Sequence, residues 1–185
     1  MRNAILLHGM PSRAGYFSPD REAQSNSHWF PWLQHELLLR GVLAQTPELP
    51  APYAPLYEDW RDVFERFEIS KETILVGHSA GGQFLVRWLS ESGQRVGRVA
   101  LVAPALACSP ETDFANYTID PHFPERTAGV SVFVSADDKE SIRASVARLR
   151  AEVSDLAVHE FERMGHFTLG DMGHAAFPEL LAVLL

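Results

Sequence analysis

Six short apolar runs recur along this chain, at residues 4–7, 42–46, 73–76, 99–103, 130–135 and 157–161. Most are apolar at consecutive positions, which suits strands buried on both faces of a parallel sheet. Between most of them the apolar positions fall at helical spacing. Trp29, Trp32, Leu33 and Leu37 form one such stripe, and Trp60, Val63, Phe64 and Phe67 form a second at i, i+3, i+4 and i+7. Residues 83–89 are apolar around most of the circumference, as in a central, buried helix. Ile142, Val146, Leu149 and Val153 give another stripe, and residues 175–185 an apolar terminal helix with Pro178 near its start. Strand and helix thus alternate six times. That order predicts right-handed parallel crossovers in one open sheet: an α/β protein, a three-layer α/β/α sandwich of about six mainly parallel strands.

Punctuation residues agree with this division. Ser27 or His28 can cap the helix that begins near Trp29, Pro31 is tolerated in its first turn, and Gly41 and Gly93 stop helices. Pro47, Pro50, Pro52 and Pro55 make an extended connection. Asp59 favours the start of the helix that follows. Residues 12–27 and 105–127 lack periodicity. The first reads as a long loop, the second as a minimal lid, and both are expected to shape a pocket.

Composition narrows the function classes. The 185 residues suggest a single domain over 1–185, with an ordinary 46% apolar and 22% charged content. A net charge of −8 without a Lys/Arg cluster disfavours nucleic acid and acidic membrane surfaces. Cys108 is the only cysteine, so no internal disulfide forms, and no glycine turn supports it as a nucleophile. Four apolar residues near the N-terminus are too few for a signal segment or a span, so a soluble, cytoplasmic protein is expected.

The chemistry centres on Gly77-His78-Ser79-Ala80-Gly81, a G-x-S-x-G that follows a strand and precedes a helix. So tight a turn needs glycine two residues either side of the serine, and it presents the hydroxyl at the strand's carboxyl end. Ligands of open parallel sheets bind at that edge. Past the later strands, the same edge receives Ser135-Ala136-Asp137-Asp138 and Met164-Gly165-His166-Phe167. The chain order Ser, Asp, His is the α/β-hydrolase order. His166 would take the serine proton and return one to a leaving group, and a carboxylate would fix its tautomer. The backbone N–H groups of Ala80 and Met10 are the candidate oxyanion donors.

On these elements the chain resembles the retinoblastoma-binding-protein-9-like serine hydrolases, a group of α/β-hydrolases that includes small bacterial esterases. The resemblance rests on Leu7-His8-Gly9, His28-Trp29-Phe30-Pro31-Trp32-Leu33, Asp59-Trp60, the Ser79 turn, Ser135-Ala136-Asp137-Asp138 and Gly165-His166-Phe167. It implies an α/β-hydrolase fold, a triad of Ser79, Asp138 and His166, and hydrolysis of small esters or related acyl compounds without a cofactor. It places the acid at Asp138, leaving Asp137 as a cap or solvated loop residue. His8, His78 and Phe167 are the pocket candidates; His8 also suits a structural role in its turn and His78 a plain turn role. His174 is a rival base with a capping or surface reading, and His159 lies inside a strand. No H-E-x-x-H or phosphate-loop spacing occurs, so metal and nucleotide are not expected. The expected partner is a small acyl substrate. A protein-binding module on the same scaffold is the alternative, with a partner the residues do not specify.

Overall fold

The computed structural model describes residues 2–107, 109 and 112–185; Cys108 lies outside the described residues. Six strands form one sheet: β1 (Arg2–Leu7), β2 (Val42–Gln45), β3 (Ile74–His78), β4 (Val99–Val102), β5 (Val130–Ser135) and β6 (Leu156–Phe161). Their order is β2-β1-β3-β4-β5-β6, and every pairing is parallel. The helices are α1 (Arg13–Tyr16), α2 (Phe30–Leu39), α3 (Tyr57–Phe64), α4 (Ala80–Ser92), α5 (Glu140–Glu152), α6 (Leu169–Met172) and α7 (Pro178–Leu184).

Alternation along the strands sorts their side chains into two cores. Ile5, Leu7, Leu75, Leu101 and Val132 face α3, α4 and α5, meeting Trp60, Phe64, Phe84, Trp88 and Leu149. Ala4, Leu6, Val76, Val102 and Phe133 face α2 and α7, meeting Phe30, Leu33, Leu37, Leu180 and Leu184. A sheet covered on both faces is the reason its strands read as unbroken apolar runs. All residues from Ala80 to Leu89 are buried, so α4 is the central helix its composition announced. Its polar members are bonded: Gln83 Nε2 donates to the Phe114 carbonyl at 3.0 Å, and the Arg87 guanidinium lies 3.6 Å from the Tyr57 ring centre. Among the described residues no helix is long and apolar enough to cross a membrane.

Several expectations are corrected. Strand and helix do not alternate throughout: among the described residues, β4 and β5 are separated by 3-10 turns, at Asp113–Ala115 and Phe123–Arg126, and not by an α-helix. β3 starts at Ile74 and runs on to His78, since Gly77 and His78 still pair with Leu101 and Val102. Residues 12–27 contain α1 and a 3-10 turn at Gln24–Asn26. Neither Ser27 nor His28 caps α2; Trp29 is its first flanking residue and makes no side-chain cap. The last helix begins only at Pro178. His174 precedes it in a turn, where Nδ1–H donates to the Ala176 carbonyl at 2.8 Å. The expected lid at 105–127 sends the large apolar side chains of its described residues into the core. Its Phe114, Ile119 and Phe123 are buried in the core beside α4, with Phe114 edge-on to Trp60 at 4.9 Å.

Candidate active site

Packing of bare backbone shapes the turn at Ser79. A Cβ on Gly77 would sit 2.5 Å from the Gly81 carbonyl oxygen, and one on Gly81 would run into the Leu7 carbonyl. Both positions therefore exclude any side chain. Ser79 takes φ 54° and ψ −114°, a strained conformation for a residue with a Cβ, worth about 1–3 kcal/mol. Its backbone is held on both sides: Ser79 N–H donates to the Val102 carbonyl at 2.9 Å and Ala105 N–H to the Ser79 carbonyl at 3.1 Å.

The hydroxyl so placed meets His166. Ser79 Oγ lies 2.9 Å from His166 Nε2, and His166 Nδ1 lies 2.9 Å from Asp138 Oδ2. An ionised carboxylate only accepts, so Nδ1 carries the proton and Nε2 is left to accept from the serine. Asp138 is 6% exposed, and its other oxygen accepts from the Lys139 N–H at 2.6 Å. Asp137 points elsewhere. Its Oδ1 accepts from Ser135 Oγ at 2.5 Å and from the Gly165 N–H at 2.9 Å, and these bonds hold its carboxyl below the ordinary range. Solvated though it is, Asp137 ties β5 to the loop that carries His166.

Gly9 packs directly on Ser79, where an added Cβ would lie 3.0 Å from the serine Cβ. Met10 follows at the rim, its sulfur accepting from Ser109 Oγ at 3.3 Å. Ala80 opens α4. The N–H groups of Met10 and Ala80 thus belong to the two segments that flank the serine.

The remaining sequence candidates divide. His8 and His78 both border the cavity above Ser79, yet both are buried and bonded. His8 donates from Nδ1–H to the Gly9 carbonyl at 2.9 Å and accepts at Nε2 from the Leu49 N–H at 2.9 Å. Burial holds its pKa down, against the opposing pull of the Gly9 carbonyl and Glu48. His78 donates from Nε2–H to the His166 carbonyl at 2.8 Å, and burial keeps it neutral well below its ordinary pKa. Phe167 is not a pocket residue. A φ of 55° turns it into the core, fully buried and stacked on Phe177 at 5.5 Å.

Two residues next to these groups were not singled out from the sequence as site candidates. Asp171 accepts from the His166 N–H at 3.0 Å and from Thr168 Oγ1 at 2.7 Å, inside a capping box that opens α6. Burial alone would raise its pKa, but the bonds from Thr168 and the His166 N–H outweigh it and the net shift is downward. Thr168-x-x-Asp171, starting two residues past His166, is a readable capping signal. The other is His28, which borders the cavity with φ 60°. The cavity measures about 580 Å³ and is bordered by residues 8–12, 21, 22, 24, 27, 28, 78, 79, 166 and 168–170. None of the described residues of 105–127 takes part. Among the described residues no group of three or more His, Cys, Asp or Glu side chains is arranged to hold a metal ion.

Comparison with known proteins agrees with the fold. The chain is 29% identical over 170 residues to YdeN of Bacillus subtilis (strain 168), covering 88% of this chain and 89% of the relative. The crystal structure of that gene product superposes with a TM-score of 0.78 at 27% identity, covering all of this chain and 97% of the other. Two more distant structures share the fold. Est1E of Butyrivibrio proteoclasticus, solved with ferulic acid bound, has a TM-score of 0.66 at 12% identity, with coverages of 100% and 86%. The monoacylglycerol lipase of Paleococcus ferrophilus has 0.63 at 18%, with coverages of 98% and 92%. The family described as serine hydrolase matches residues 18–185, which takes in the Ser79 turn, both aspartates and His166; the chain belongs to this serine hydrolase family and has its α/β fold in common with YdeN.

Proposed function

We propose that the enzyme cleaves small carboxylic esters through an acyl-enzyme, with Ser79 as nucleophile, His166 as base and acid, and Asp138 as the carboxylate partner of His166. The unbroken sequence of hydrogen bonds from Ser79 Oγ through the His166 ring to Asp138 supports this most directly, 2.9 Å at each step. Ser79 Oγ attacks the ester carbonyl carbon while His166 Nε2 takes its proton. The oxyanion is met by the Met10 and Ala80 N–H groups, donors worth about 3 kcal/mol each when preorganised. Collapse breaks the carbon–oxygen bond to the alcohol, which leaves with the proton from His166. Water then attacks the acyl-enzyme by the same proton route and frees the acid and Ser79. Asp138 stabilises the imidazolium at both stages.

The test is labelling by a fluorophosphonate, with the modified peptide identified. Wild type is expected to be labelled at Ser79 and Ser79→Ala to remain unlabelled, with loss of ester turnover. Equal labelling of both, or of neither, would sink the assignment.

A further inference from the structure

His28 is held in place more firmly than its position in a loop would suggest. It is a non-glycine residue at φ 60°, a backbone state that persists only where its surroundings fix it. The surroundings here are the segment that carries His166. The Leu169 N–H donates to His28 Nδ1 at 3.2 Å, and the indole of the next residue, Trp29, donates to the Phe167 carbonyl at 3.1 Å. With Nδ1 accepting, the neutral ring carries its proton on Nε2. Among the described residues that Nε2–H has no bonded partner, and the ring borders the cavity above Ser79. It lies 5.7 Å from the His78 ring, which in turn lies 5.0 Å from that of His166.

The loop before His28 adds further hydrogen-bonding groups to a cavity whose lining is mixed. The segment leading to His28 gives the cavity Arg21, Glu22, Gln24 and Ser27, while the apolar side chains bordering it are Met10, Pro11 and Leu169. An alkyl chain laid over His28 and these polar neighbours strips water from them and returns no hydrogen bonds. The leaving oxygen of an ester must come within reach of His166 Nε2 to be protonated. The alcohol portion therefore extends from the His166 side of the serine, where His28 is anchored.

We infer that His28 is a substrate-binding residue whose Nε2–H hydrogen-bonds an acceptor on the alcohol portion, and that the preferred substrates are esters of polar, hydroxylated alcohols. This rests on Ser79 being the nucleophile. The probe is a matched pair, 2,3-dihydroxypropyl acetate and propyl acetate. Both form the same acetyl-enzyme, and any difference between the two alcohols as leaving groups is common to wild type and variants, so the change in the kcat/KM ratio on substitution isolates recognition of the alcohol by His28. Wild type is expected to favour the dihydroxy ester by roughly tenfold, the worth of one well-placed hydrogen bond. Two variants separate the nitrogens. His28→Asn keeps an acceptor at the Nδ1 position and tolerates a positive φ, but lacks the outer donor. His28→Gln places an amide N–H near the Nε2 position.

His28→Asn should reduce the ratio of kcat/KM for the two esters by roughly the factor one hydrogen bond supplies, and His28→Gln should restore part of it. Equal rates of the two esters in wild type, a preference that survives His28→Asn, or equal losses on both esters would overturn the inference. The wild-type comparison needs no variant to fold. Fluorophosphonate labelling keeps the two readings apart. Wild type labelled at Ser79 without alcohol discrimination defeats only the role of His28, whereas wild type that resists labelling defeats the hydrolytic assignment beneath it.

Discussion

At the scale of residues, two neighbouring carboxylates do different things because their side chains leave the chain in different directions. Asp138 is buried and its Oδ2 meets His166 Nδ1, whereas Asp137 is exposed and gathers Ser135 and the Gly165 N–H. Asp138→Asn offers His166 an amide that can donate, which favours the wrong tautomer for accepting the serine proton. The expected fall in kcat is on the order of 10³ to 10⁴. Asp137→Asn keeps an oxygen that can still accept from Gly165, and a loss of about tenfold or less is expected. Steady-state kinetics of both variants on one ester settles the ranking, and the reverse order would move the acid to Asp137. The order Ser, Asp, His was legible in the chain. Which aspartate faces the ring was not legible from strand pattern alone, because both follow β5 and only side-chain direction separates them; the family resemblance chose between them.

At the scale of elements, the β6–α6 connection holds His166 by its backbone. The Met164 N–H donates to Ser135 Oγ, Gly165 N–H to Asp137 and His166 N–H to Asp171, while the His166 carbonyl accepts from His78 and the Phe167 carbonyl from Trp29. Side chains from β5 and its following loop, α6, β3 and the start of α2 converge on four consecutive residues. Gly165, at φ 50°, is needed there because a Cβ would lie 2.6 Å from Asp171 Cγ. Gly165→Ala should lower kcat by about tenfold or more through displacement of His166, and Asp171→Ala should lower it by several-fold. Since the Cβ of the first collides with the side chain that the second removes, the double variant should be less damaged than the product of the two. A multiplicative double-mutant cycle would show that the two do not act through one contact. Sequence periodicity could not reveal this clamp. α6 has four residues, too few for a stripe, and each partner of the loop comes from a distant part of the chain. The same limit misassigned 105–127. Its prolines broke any regular period, and without one the pattern could not tell aromatics that roof a pocket from aromatics that fill a core. Strands were legible because burial on both faces leaves a local mark in each run.

At the scale of the whole molecule, the fold keeps two buried histidines neutral where the sheet edge meets the cavity. Burial lowers the pKa of His8 and lowers that of His78 well below the ordinary value. The sign of the stability effect follows from proton counting. Below about pH 6.5 the unfolded chain protonates these rings and the folded one resists, so acid favours unfolding. The stability they contribute is present above the unfolded pKa and is lost as pH falls below it. Each pH unit costs up to about 1.4 kcal/mol for every histidine that must stay neutral, until its folded pKa is reached. The depressed carboxylates Asp137 and Asp171 act in the same direction only near pH 4 and below, a separate window. An opposing influence is overall charge. The net −8 shrinks toward a pI of about 5.4, which relieves self-repulsion on acidification. Salt near 0.15 M damps that term without touching buried rings. Under those conditions Tm should fall between about pH 7.5 and about pH 5. His8→Gln retains an acceptor for the Leu49 N–H but cannot titrate, so its Tm should fall less over the same interval. Parallel pH profiles for wild type and His8→Gln would show that the acid sensitivity arises elsewhere, and a flatter profile for the variant assigns part of it to a ring beside Ser79.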